Sequence, residues 1–132
     1  MRLFKILAAS VLIVAGTAPA LARSATGEAR LAKILAGRIP GKPQHCIWLP
    51  SISDTRIIDG TAIVYDAGRT IYVNRPVAGA RTLSSGDVML TKPTNSELCN
   101  VDIVRMFDQG SHFERGFVNL GDFVPYKKPG AR

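Results

Sequence analysis

The sequence predicts a mainly β, α+β fold: a small antiparallel meander or partly open barrel of about six strands, with one N-terminal helix after a signal peptide. Three observations lead there. From Cys46 onward, short runs rich in Ile, Val, Thr and aromatic residues alternate with Gly, Pro, Asn and Asp. Only Glu28 to Ala36 spaces its apolar residues for a helix. The first 22 of the 132 residues read as an export leader, which leaves residues 23–132 for a single β-rich domain.

The leader has three parts. Arg2 and Lys5 are its positive start, Ile6 to Gly16 its apolar stretch, and Thr17 to Ala22 its run of mostly small residues. Ala20 and Ala22 occupy the two positions a signal peptidase needs to be small, so cleavage is expected before Arg23, with a cut after Ala20 as the alternative. A membrane-spanning helix needs roughly 20 apolar residues, and Pro19 interrupts this stretch well short of that. No later segment is long and apolar enough to span, so no transmembrane segment is expected after cleavage. The expected location is periplasmic or extracellular.

In the expected domain, Leu31, Ile34 and Leu35 share one helix face, and Gly37 is placed to end the helix. Gly37 to Pro43 is a loop by composition. Cys46 to Leu49 is the first strand. Arg56-Ile57-Ile58 and Thr61 to Tyr65 flank the hairpin signal Asp59-Gly60, and Asp66 to Arg69 leads into Thr70 to Asn74, which completes a meander. Asn74 to Gly86 is a connection and Val88 to Thr91 a further strand. Leu98 to Asp108 reads as one long strand, because Val101, Ile103, Arg105 and Phe107 alternate with Asp102, Val104, Met106 and Asp108. A last run lies within Gly116 to Val124, and a tail rich in Lys, Pro and Gly follows Pro125.

The chain has 17 Lys and Arg against 10 Asp and Glu, a net charge of +7. Arg2 and Lys5 would leave with the leader, so 15 basic residues would face 10 acidic ones, a net +5. These cations are scattered, with Lys127-Lys128 the longest run, whereas nucleic-acid binders concentrate charge on one face or arm. No nucleic acid is expected; an anionic envelope component or another envelope protein is the expected partner.

Cys46 and Cys99 form an even pair in an exported chain, which favours a disulfide. That bond bears on every catalytic reading. A hydrolase would use a Cys46 thiolate with His112 as base, and it fails if Cys46 is oxidised. His45, Cys46, Cys99 and His112 are not paired at the short spacings of structural zinc sites, so no metal and no cofactor are expected. Gly37 to Lys42 has three residues between its glycines instead of four, and Pro43 where a phosphate-binding loop places Ser or Thr. Asp102 and Asp108, on one strand, would lie about 20 Å apart, too far for a glycosidase pair. Most aromatics fall on strands and read as core; Trp48, Phe113 and Tyr126 stand beside prolines, glycines or charges and are the candidate binding surface.

These segments carry a resemblance. Cys46-Ile47, Ile58-Asp59-Gly60, Gly68 to Arg75, Leu98-Cys99 with Asp102-Ile103, and Leu120 to Pro125 resemble a family of small exported proteobacterial proteins known only as a domain of unknown function. The likeness covers most of the expected domain and implies a shared fold and compartment but no activity. Relatives in that family can carry a second cysteine pair, one partner near Ala80 and the other shortly before the Leu-Gly segment; this chain has neither, which leaves one bridge at most. The expectation is a non-enzymatic binding or structural domain of the envelope. An inhibitor of an envelope enzyme is the other non-catalytic reading, and because the domain is basic it would need an acidic target.

Overall fold

The computed structural model describes residues 19–130. A central five-stranded antiparallel sheet carries a helix on one face and two smaller sheets on the other. The helix α1 is Pro19–Leu35. Ten strands follow among the described residues: β1 Ile39–Pro40, β2 Cys46–Trp48, β3 Asp54–Ile58, β4 Ala62–Asp66, β5 Thr70–Asn74, β6 Asp87–Leu90, β7 Glu97–Cys99, β8 Ile103–Asp108, β9 Glu114–Asn119 and β10 Phe123–Lys127. The central sheet has the order β1-β10-β5-β4-β3, β2 pairs with β7, and the third sheet has the order β6-β8-β9. The mainly β architecture with one helix is as expected, and the sheets do not close into a barrel.

Residues 1–18 of the expected leader lie outside the described residues. Residues 19–22 are the first turn of α1, so the expected cut before Arg23 falls inside a helix that starts at Pro19 and not at Glu28. Proline is well suited to a helix's first position, and the Ala and Leu residues behind it are strong helix formers; Gly27 alone does not outweigh them. The helix ends as expected, with Gly37 in the left-handed region at φ 72°.

The meander follows the expected order. Gly60 at φ 61° turns β3 into β4, and Gly68 at φ 78° turns β4 into β5, where Asp66 Oδ1 accepts the Gly68 N–H at 2.8 Å. Strand β4 is buried on both sides, and its alternation divides the core. Ala62 and Val64, with Ile71 and Val73 of β5, meet Leu31 of the helix, while Ile34 and Leu35 pack at the margin. Ile63 and Tyr65 face the other way, against Ile47, Leu98, Val104, Met106, Val118 and Phe123. Each such large apolar side chain contributes roughly 1.5–3 kcal/mol when fully buried. The Tyr65 and Phe123 rings meet edge to face at 5.7 Å, and burial pushes the Tyr65 hydroxyl pKa up.

Two strand readings need correction. Leu98 to Asp108 is not one strand: Asp102 N donates to Cys99 O at 3.0 Å, and Asp102 Oδ2 accepts the Cys99 N–H at 2.7 Å. That tight turn separates β7 from β8 without disturbing the period-two pattern, which is why the break is silent in the sequence. The second correction concerns the tail. Phe123–Lys127 is a strand interior to the central sheet, between β1 and β5, although it contains Pro125. Phe123 exchanges backbone bonds with Gln44, and Pro125 O accepts from Gly41 N at 2.7 Å. The missing N–H of Pro125 therefore falls on the β1 side, the side of its own carbonyl, and the ladder to β5 is intact.

Candidate functional site

Cys46 and Cys99 are directly opposed in the β2–β7 register and joined by a disulfide. No thiolate exists at Cys46, so the premise of the Cys46–His112 hydrolase is not met. His112 lies in the β8–β9 turn with φ 61°. Glu97, Cys46 and Cys99 are the one trio of metal-ligand types that converges among the described residues, within 4.8 Å. Both sulfurs are bonded to each other, which leaves a single carboxylate.

Beside the disulfide stands a polar cluster that the sequence does not advertise. Asp122 Oδ1 accepts from Asn100 Nδ2 at 2.7 Å and lies 3.1 Å from His45 Nδ1. Asn100 Nδ2 is also 3.1 Å from that nitrogen. One ring nitrogen cannot donate to Asp122 and accept from Asn100 at once, and the carboxylate is the stronger partner, so Nδ1–H to Asp122 is the assignment. His45 and Asn100 together hold the Asp122 carboxyl below the usual range. The ring is widely exposed, and its partners are Asp122 and Asn100 with no hydroxyl or thiol among them. A base and its orienting carboxylate are present, and no hydroxyl or thiol nucleophile joins them among the described residues.

The three aromatics singled out from sequence lie on three different elements. Trp48 lies on β2 opposite Glu97, on the disulfide's face, and is 55% exposed. Phe113 lies in the β8–β9 turn and is 74% exposed. Tyr126 turns to the helix side of the central sheet and is half-buried against the core there. No known protein family, curated protein or solved structure matches this chain.

The larger apolar surface is the outer face of β6-β8-β9. Val88, Leu90, Ile103 and Phe117 are each between 41% and 56% exposed. The register brings them together: Leu90 faces Arg105, Arg105 faces Phe117, and Val88 faces Phe107. The Arg105 guanidinium sits 5.1 Å over the Phe107 ring and is paired with Glu114, which neutralises the one cation at the centre. The inner residues of the same strands, Val104, Met106 and Val118, are fully buried. The sheet is thus apolar on both faces, although only one has a partner among the described residues. A period-two reading of β8 alone could have flagged it, since Ile103 and Phe107 alternate with core residues, but β6 and β9 join only in the tertiary structure.

Sequence reading also missed a basic groove. Pairing of β1 with β10 gathers Lys42, Lys127 and Lys128 around a hollow of about 370 Å³ floored by Ile39, Pro40 and Pro125, with no carboxylate in its lining. Lys127-Lys128 was visible as a run; its meeting with Lys42 was not.

Proposed function

We propose that this protein is a non-enzymatic binding domain of the cell envelope, which holds another protein against the outer face of β6-β8-β9. The observation that carries this reading is the apolar character of that face. Monomeric proteins rarely leave a contiguous apolar patch of this kind uncovered, because its contact with water costs free energy that association recovers. The disulfide fits an oxidising compartment, and the leader-like start supplies the route. Membership in the exported family resembled by the strand segments is part of the same proposal.

The test is site-specific photo-crosslinking in the producing cell, with the crosslinker at Val88 or Phe117 and a control on the helix at Lys33. One discrete protein adduct from both face positions and none from Lys33 is expected, and Leu90→Glu should abolish it without moving the urea midpoint. Absence of an adduct from both face positions would refute the reading.

A specific observation favours a second reading: the lysine groove suits an anionic envelope component. Its amphipathic lining matches a phosphate-bearing group attached to an apolar body, and its attraction should be screened by salt.

A further inference from the structure

Three polar atoms meet beside the disulfide at spacings that hydrogen bonds alone do not satisfy. His45 Nδ1 is 3.1 Å from Asp122 Oδ1, Asn100 Nδ2 is 2.7 Å from the same oxygen, and the two nitrogens are 3.1 Å apart. A carboxylate only accepts, so both nitrogens direct a hydrogen at it, and two donors are then left in contact with each other. The other tautomer of His45 replaces that conflict with one between the ring lone pair and the carboxylate. Turning the Asn100 amide over sets two acceptor oxygens 2.7 Å apart. Every assignment of the hydrogens leaves one edge of the triangle repulsive.

The backbone nevertheless holds the triangle together. His45 precedes Cys46 and Asn100 follows Cys99, so the disulfide sets them side by side, and Asn100 N donates to His45 O at 2.7 Å. Asp122 is delivered by the backbone bonds that Phe123 and Gln44 exchange at 2.9 Å, and by Gly121 N, which donates to Asn74 Oδ1 at 3.0 Å. Among the described residues no Lys or Arg pairs with Asp122; its ion-pair partner is His45. The His45 side chain is 78% exposed and that of Asp122 45%, so the triangle opens to solvent.

A cation makes all three edges favourable at once, because the imidazole nitrogen, the carboxylate and, once turned over, the Asn100 amide oxygen each offer it a lone pair. Metal–ligand bonds of about 2.1 Å at right angles place neighbouring ligand atoms about 3.0 Å apart, the spacing of this triangle. We propose that His45 Nδ1, Asp122 Oδ1 and the Asn100 amide oxygen form a binding site for a divalent first-row transition cation such as Zn²⁺. The imidazole disfavours Mg²⁺ and Ca²⁺, which take oxygen ligands. Three protein donors on one side leave the remaining positions to water. Residues 45, 100 and 122 are far apart in the chain, and an amide oxygen is one of the donors, so ligand spacing in the sequence does not reveal the site. It shares no residue with the outer face of β6-β8-β9 and does not depend on the binding reading above.

The test is a titration of the full, unreduced chain with zinc chloride, followed by calorimetry, backbone amide shifts and the ring nitrogen shifts of both histidines. A single site with Kd below about 100 µM is expected. Amide shifts should be confined to residues 44–46, 99–101 and 121–123, with the ring change at Nδ1 of His45. His45→Gln and Asp122→Asn should each weaken binding at least about tenfold, and His112→Gln should not. Asn100→Asp should tighten it, because a carboxylate oxygen replaces the amide oxygen. Mg²⁺ at the same concentration should shift nothing. No binding at about 1 mM Zn²⁺ would overturn the proposal. So would coordination through His45 Nε2, or an affinity that Asp122→Asn and Asn100→Asp leave unchanged, since either marks an exposed histidine acting singly. The ring shift is read on the unaltered protein, so that result stands even if a variant does not fold. Phe117→Glu should leave the titration unchanged, which separates this site from the outer face.

Discussion

The side-chain amide of Asn74 and the backbone of Gly121 bond to each other in both directions: Asn74 Nδ2 donates to Gly121 O at 2.6 Å, and Gly121 N donates to Asn74 Oδ1 at 3.0 Å. Asn74 is fully buried, and its side chain stands in for a neighbouring strand at the turn between β9 and β10. Asn74→Ala would leave two buried backbone groups unpaired, each costing about 1–3 kcal/mol. A loss of about 2–6 kcal/mol in urea unfolding is expected, large beside the stability of a small domain. A Cβ on Gly121 would sit 2.4 Å from Arg75 O, so Gly121→Ala should be comparably damaging.

The disulfide closes a loop between cysteines 53 residues apart. On the chain-entropy account it should contribute about 4 kcal/mol by restricting the unfolded chain. Cys46→Ser with Cys99→Ser, or reduction before urea unfolding, should lower stability by about that amount. Alkylation of the protein isolated from the producing cell, without reductant, should add no mass; a labelled thiol there would reopen Cys46 chemistry.

Glu28 on α1 and Arg75 after β5 form a two-pronged pair, at 2.5 and 3.1 Å, that ties the helix to the sheet. The hydrogen bond from Arg75 is the main reason that the Glu28 pKa falls below its ordinary 4.5. A depressed carboxyl pKa means that its stabilisation is complete above the unfolded value and is lost as pH falls through the folded one. Both side chains are about half exposed, so solvent screening limits the effect to about 1 kcal/mol or less. Glu28→Gln should lower the melting temperature slightly at neutral pH, and the difference should shrink as pH falls below 4.5.

Gly27 is the point where α1 touches the β3–β4 turn. Alanine is favoured over glycine inside a helix by about 1 kcal/mol. Here its Cβ would lie 1.8 Å from Thr61 Oγ1 and 2.9 Å from the Asp59 carbonyl oxygen. The hydroxyl can rotate away, but the backbone cannot, so overpacking wins. Gly27→Ala should destabilise by about 1–3 kcal/mol in urea unfolding, and a gain in stability would show that the helix shifts freely on the turn.

The lysine groove is tested separately by co-sedimentation with phosphatidylglycerol vesicles and, in parallel, by titration with inorganic phosphate. Binding to the vesicles should weaken as salt rises, and Lys127→Glu with Lys128→Glu should abolish it. Phosphate binding without vesicle binding would assign the groove to a free anion, and neither would refute this reading.

Local signals in the sequence determined much of this fold. Leu31, Ile34 and Leu35 marked the buried helix face, Asp59-Gly60 and Gly68 marked the turns of the meander, and the cysteine count pointed to the disulfide, because each depends on residues close in the chain or on simple pairing. The turn at Asn100–Asp102 rests on Asp102 capping Cys99, a local bond that leaves the period-two pattern intact, and the strand around Pro125 was decided by longer-range bonds from Gln44 and Gly41 to β10. The same holds for the candidate sites. Val88, Ile103 and Phe117 become one surface, and Lys42 joins Lys127 and Lys128, only after strands distant in sequence have paired. Periodicity tells which way a side chain points from its own strand, but strand order and register decide what stands beside it.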